Sequence, residues 1–299
     1  MTNSRASKAT TIDGAAPPAA AHLTPASDRV RQALTDLART GSVPVLTPVA
    51  TAALDIARRR DPDPLEMVDI IETDVGLAAR ILRLANSYAY LRRTPARTIR
   101  EAVLTVGIQE TCNLVVSASA QGLHRSAGPH APLLWEHAVA VGIATREVVR
   151  MTRQMEPDVA FLPGLFHDIG RILFRAVHPV AAARVDALFS RGCTDDAIRL
   201  EHELFGFDHA EAGASLVEHW GLTSDQSTAI RWHHHPSPSS SGLGASIVAA
   251  ETLVASIQTG TPATLALPAT LGLPNDSIHT LTRRIRDRME EQQALLGES

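Results

Sequence analysis

From Ser27 to about Ala294, apolar residues recur at three- and four-residue intervals in one segment after another, and that rhythm restricts the chain to stacked helices. The strongest stripe of the N-terminal half is Leu77, Ile81, Leu84, Ala85 and Tyr88, with Asp74 placed to cap the helix that carries it. Alternation of the kind a half-buried strand needs is scarce. The 18 prolines and 18 glycines fall mostly between the periodic segments, where they end helices rather than interrupt them. Only 4% of the residues are aromatic, so the core is expected to be Ala, Leu, Val and Ile; Ala and Leu favour helix. The expected fold class is all-α, a bundle of two helical lobes.

Punctuation places the lobes. Residues 1–27, rich in Ala, Ser, Thr and Pro, are expected to be a disordered leader. Helices over 27–39, 50–59, 64–71, 74 onward, 99–106 and 109–122 build a first lobe within residues 28–122. The stretch 124–132, with Gly128-Pro129, reads as a connection. A second lobe over 133–258 takes helices at 133–152, 156–167, 179–190, 194–204, 208–219, 223–235 and 245–258. A last helix, 276–294, is expected to pack by Ile278, Leu281, Ile285 and Met289.

Several function classes are disfavoured by composition. The net charge is −4 and no basic face is evident, so no nucleic-acid partner is expected. Arg58-Arg59-Arg60 and Leu91-Arg92-Arg93 are short enough to be solvated helix ends. A membrane span needs about 18 uninterrupted apolar residues, and none is present. The N-terminus lacks the basic and apolar regions of a secretory signal. Cys112 and Cys193 have neither zinc nor disulfide spacing and read as reduced, inert thiols of a cytoplasmic protein.

The chemistry is concentrated in histidine. Phe161-Leu-Pro-Gly-Leu-Phe-His167-Asp168-Ile-Gly170 is preceded by His137 and followed by His209, the pair His233-His234, and Glu251. His137 shares a helical face with Leu134, Val141 and Val148; His209 shares one with Ala212, Leu216 and Trp220. His233 follows Ala229 and Ile230, and Glu251 lies in line with Ile247 and Val254. Each group therefore faces inward, where an unpaired ionisable side chain costs several kcal/mol. Convergence on a divalent metal ion, or on one hydrogen-bonded polar network, relieves that cost. Imidazole with carboxylate suits Fe, Mn, Zn or Ni. His22, His124, His130, His178, His202, His219 and His235 are expected outside the pocket, His235 because helices usually end before a proline such as Pro236.

These residues carry a resemblance. The chain is similar, over about residues 42–258, to the HDOD domain of bacterial signalling proteins, a branch related to the HD and HD-GYP metal-dependent phosphohydrolases. The marks are Asp74-Val-Gly-Leu-Ala-Ala-Arg-Ile-Leu-Arg-Leu-Ala-Asn86-Ser87, Trp135-Glu-His137, Gly164-Leu-Phe-His167-Asp168-Ile-Gly170, Glu201-His-Glu-Leu-Phe-Gly206-Phe-Asp-His209 and Ala229-Ile-Arg-Trp-His233-His234. The Leu-Ala-Asn-Ser segment separates this branch from ordinary HD enzymes. The resemblance implies an N-terminal HDOD lobe, a C-terminal HD-like lobe and a role in signal transduction. It also implies metal ligation by His137, His167, Asp168, His209, His233 and His234, with Glu251 standing near the place where the HD enzymes carry an aspartate. The Gly-Tyr-Pro loop is missing. Arg171, beside the His-Asp pair, stays protonated, so it can bind phosphate but cannot donate a proton.

Two functional readings result. The preferred one is a regulatory, non-catalytic module acting on a signalling protein partner or a small nucleotide-like ligand. The alternative is a metal-dependent phosphohydrolase or phosphodiesterase in which Asp168 and Arg171 serve turnover. A purely structural adaptor with a relict histidine cluster is the weaker third.

Overall fold

The chain is described by a computed structural model covering residues 30, 32, 43–87, 90, 95–125, 128, 131–235, 242–261, 271–273 and 275–296. The expected leader, most of the expected 27–39 helix and the Leu91-Arg92-Arg93 run lie outside the described residues. Helices begin where the sequence supplies a cap. Side chains of Thr47, Asp63, Asp74 and Thr98 accept the free N–H groups that open α1 (Pro48–Ala57), α2 (Pro64–Glu72), α3 (Val75–Ala85) and α4 (Ile99–Val106). Pro48 and Pro64 stand in first turns, where the missing N–H costs nothing. Gly107, at φ 91°, turns the chain between α4 and α5 (Ile108–Arg125).

The second lobe is built around α6 (Ala131–Thr152), whose middle, Ala138 to Thr145, is buried without a break. Around it run α7 (Phe161–Phe166), α8 (Ile169–Val177), α9 (Pro179–Phe189), α10 (Thr194–Phe205), α11 (His209–His219), α12 (Ser224–Arg231), α13 (Gly242–Thr259) and α14 (Asn275–Leu296). Among the described residues there is no strand, and the fold is the all-α, two-lobed bundle expected. Ile278, Leu281 and Ile285 of α14 are buried and Met289 is partly so, the face anticipated for that helix.

One apolar cluster runs through both lobes, from Leu54, Met67 and Ile81 to Phe161, Leu165, Trp220 and Ile230. Trp220 Nε1 also donates to the carbonyl of Pro44 at 3.3 Å, and Arg58 donates to the carbonyl of Gly221. Arg58, Arg59 and Arg60 are exposed at the end of α1, as expected. Cys112 is a free thiol buried in this core, and burial pushes it up to about 12, far from thiolate chemistry.

Three expectations need correction. The helix anticipated over 156–167 is a 3-10 turn at Pro157–Val159 followed by the short α7, and a further helix, α8, begins at Ile169. Pro157 and Pro163 obscure the periodicity there. The helix anticipated over 223–235 stops at Arg231, where the Ile230 carbonyl accepts both the backbone N–H of His233 at 3.4 Å and its ring Nδ1–H at 2.7 Å. Gly122 does not end α5, which continues to Arg125; His124 is therefore buried, its Nδ1 donating to the Ala120 carbonyl and its ring edge-on to Trp135.

Two glycines set the approach of the helices. At Gly164 an added Cβ would lie 2.9 Å from the Cα of Gly142 and would crowd Thr145, so α7 and α6 touch backbone to backbone. At Gly170 it would overlap the carbonyl of His209. Gly170→Ala should therefore destabilise by more than the roughly 1–3 kcal/mol usual for overpacking. Gly122→Ala, in a helix with nothing near the new methyl, should stabilise by about 0.5–1 kcal/mol. Urea midpoints at an unchanged m-value check both.

Candidate functional site

His167 and Asp168 occupy the junction between α7 and α8, the turn held in place by Gly164 on one side and Gly170 on the other. The same close contacts bring α6, which carries His137, and α11, which begins with His209, against that junction. His209 sits on a helix start closed by a reciprocal Asp208–Glu211 capping box. His233 and His234 follow the end of α12, and Glu251 projects from α13.

The seven side chains meet. Asp168 Oδ1 lies 3.2 Å from His209 Nε2, 3.6 Å from His167 Nε2 and 3.9 Å from His233 Nε2. Glu251 Oε1 is 3.5 Å from His167 Nε2, and the rings of His137 and His167 are 5.2 Å apart. His234 Nε2 and His209 Nε2 approach to 2.8 Å. One group of mutually close donor atoms is Asp168, His209, His233 and His234; a second is His137, His167 and Glu251. His235 is exposed.

Hydrogen bonds at the far nitrogens orient the rings. His167 Nδ1 is 2.8 Å from the Gly164 carbonyl, His233 Nδ1 bonds the Ile230 carbonyl, and His209 Nδ1 is 2.7 Å from Glu201 Oε2. Carbonyl and carboxylate oxygens only accept, so each Nδ1 carries a proton and each Nε2 is the nitrogen turned toward the other site residues. Nε2 of His167 and of His233 are buried without a hydrogen-bond partner. Buried nitrogens of this kind are the donors a cation needs, so the residues present fit a divalent ion.

Charge is held in the same place. Burial works against an ionised Asp168, but His167, Arg171 and His209 outweigh it and hold the carboxyl well below the usual range. Burial likewise opposes charge on His209, yet the Glu201 and Asp168 carboxylates raise it to about 10. His233 goes the other way, lowered by burial to about 4, and burial also lowers His137 and His234. The Nε2 atoms of His209 and His234, 2.8 Å apart, are close enough for one proton to bridge them, and a metal ion can take the place of such a proton.

Arg171 is committed to carboxylates. NH1 donates to Asp168 Oδ2 at 2.7 Å, NH2 to Asp186 Oδ1 at 2.8 Å, and the guanidinium lies 4.3 Å from the centroid of the Phe189 ring. Arg175 pairs with the other oxygen of Asp186. The site opens into a cleft of about 380 Å³, lined by apolar Leu133, Leu134 and Ala255 and by Arg171, Arg175 and Asp186. Glu201, Arg175 and Asp186 had no expected site role. Their signal lay in the helical period: Glu201 follows Ala197 and Ile198 on the buried face of α10, and Asp186 follows Ala182 and Val185 on that of α9.

The HDOD domain profile matches residues 43–236, and the chain belongs to the HDOD family. A curated relative, an uncharacterized protein of Treponema pallidum (strain Nichols), is 26% identical over 187 residues, 61% of this chain and 36% of that one. The chain thus spans about a third of the length of the curated relative it matches. Among solved structures, a candidate phosphohydrolase from Shewanella amazonensis SB2B is 24% identical, with TM-score 0.64 over 89% of this chain and 95% of that one. A candidate signal transduction protein from Marinobacter aquaeolei VT8 is 21% identical, TM-score 0.73, over 91% and 65%. An HDOD domain protein of unknown function from Geobacter sulfurreducens is 20% identical, TM-score 0.62, over 87% and 88%. At these identities the structures share the fold. No helix among the described residues is long and apolar enough to cross a membrane.

The opposed shifts give the metal-free protein a bell-shaped stability. His209 is raised, so its contribution is complete below the unfolded imidazole value near 6.5 and is lost as pH climbs toward 10. His233 is lowered, so its contribution is complete above 6.5 and is lost as pH falls toward 4. Chelator-treated protein should show its highest urea midpoint near neutral pH, and His209→Gln should flatten the alkaline limb.

Proposed function

We propose that this chain is a regulatory module of bacterial cytoplasmic signal transduction that binds a divalent transition-metal ion and acts through a protein partner or a small nucleotide-like ligand, without turnover. His137, His167, Asp168, His209, His233, His234 and Glu251 would hold the ion. An imidazole-rich donor set of this kind favours Fe, Mn, Zn or Ni over Mg or Ca. When bound, the ion supplies Lewis acidity and a positive anchor for an anionic ligand.

The observation that carries the regulatory reading is the clamp on Arg171. Hydrolysis of a phosphodiester needs a proton, or a cation free to stabilise charge, at the leaving oxygen. Arg171 is held by Asp168 and Asp186 through NH1 and NH2, and an arginine cannot give up its proton. The same clamp occupies Asp168 Oδ2, leaving Oδ1 for a metal.

The phosphohydrolase reading keeps one observation in its favour. Unpartnered Nε2 atoms lie beside a cleft whose volume, about 380 Å³, suits a small ligand. Elemental analysis of purified protein, with a phosphatase and phosphodiesterase screen of metal-loaded protein, separates the two. The expected result is bound metal, no turnover above buffer, and loss of metal in Asp168→Ala. Turnover of a nucleotide or cyclic dinucleotide, abolished in Asp168→Ala with stability unchanged, would replace the regulatory reading with the enzymatic one.

A further inference from the structure

Glu201 is carried by α10 and does not line the cleft. Its side chain is fully buried in α10, and its Oε2 accepts two hydrogen bonds from one residue: the backbone N–H of His209 at 3.0 Å and the ring Nδ1–H at 2.7 Å. Its second oxygen, Oε1, is buried with no hydrogen-bond partner. A buried carboxylate left half unsatisfied is expensive, and replacing it with an uncharged acceptor would cost the fold less. Hydrogen bonding alone therefore does not account for the charge.

His167 and His233 take their orienting bonds from neutral backbone carbonyls, Gly164 and Ile230. Among the three site rings held through Nδ1, His167, His209 and His233, His209 alone is backed by a carboxylate. A carboxylate on Nδ1–H pulls the proton toward itself and makes the opposite Nε2 a stronger donor. That Nε2 is the ring nitrogen nearest Asp168 Oδ1, at 3.2 Å.

We infer that Glu201 is a positioning residue that fixes the tautomer of His209 and strengthens its Nε2 as the leading nitrogen ligand of the metal site, giving the site its preference for a transition-metal cation. The inference rests on the metal-binding reading above. Glu201→Gln tests it, because the amide oxygen can still accept both N–H groups while the charge is gone. A merely structural role survives that change; a donor-strengthening role does not.

Full-length protein, stripped with chelator and titrated with cobalt(II) chloride, reports affinity and, through the d–d absorption bands, the donors around the ion. Glu201→Gln is expected to weaken cobalt(II) binding by about 10–100-fold and to shift those bands. Its far-UV circular dichroism should match wild type. Wild-type affinity and an unchanged spectrum in Glu201→Gln would overturn the inference while leaving the metal site standing. A wild-type protein that takes up no cobalt(II) would instead remove the metal site, and the role of Glu201 with it. Should Glu201→Gln fail to fold, Glu201→Asp serves: a shortened carboxylate that keeps folding and wild-type affinity without reaching Nδ1 would equally overturn it.

Discussion

Everything in the second lobe depends on how closely four helices approach at Gly164 and Gly170. Without a Cβ at either position, α7 lies on α6 and α8 lies on α11 at backbone contact distance. Side chains as short as Asp168 and as rigid as an imidazole can meet only across gaps of that size. A bundle packed at ordinary interaxial distances of about 8–10 Å would hold these groups apart, each paying its own desolvation cost. The glycines of the His-Asp segment are thus part of the site's geometry.

Charge explains why so polar a cluster can be buried. Asp168, Asp186, Glu201 and Glu251 face Arg171, Arg175, His167 and His209, so the carboxylates are answered by cations within a few ångströms. Buried pairs seldom add net stability, but removing one partner is costly because the other is left uncompensated. The cluster is therefore best regarded as one interdependent unit. Arg171 is its keystone, since it joins the carboxylate nearest the histidines to the pair of Asp186 and Arg175 on α9 and α8.

Much of this was legible in the chain. The amphipathic stripes gave the helices, and the inward phase of His137, His209, His233 and Glu251 gave the convergence, because period alone decides which way a helical side chain points. The interruption after Val159 and the helix α8 beyond Asp168 were not legible: the prolines around α7 blur the period there. Nor was the early end of α12, where a ring nitrogen and the backbone N–H of His233 share one carbonyl. Asp186 and Glu201 were hidden for another reason. A single carboxylate on an apolar stripe looks like noise until its partner, on the adjoining helix, is known.

The apolar cluster that runs from Leu54 and Ile81 through Phe161 to Trp220 has a consequence for how the molecule can be taken apart. A lobe cut free at the α5–α6 junction would expose the face that its neighbour now covers, including the indole of Trp220 and the ring of Phe161. Such a fragment carries an aggregation-prone wound rather than a new surface. The two lobes therefore share one cooperative fate. Inheritance, recombination or engineering should move them together, as one cassette.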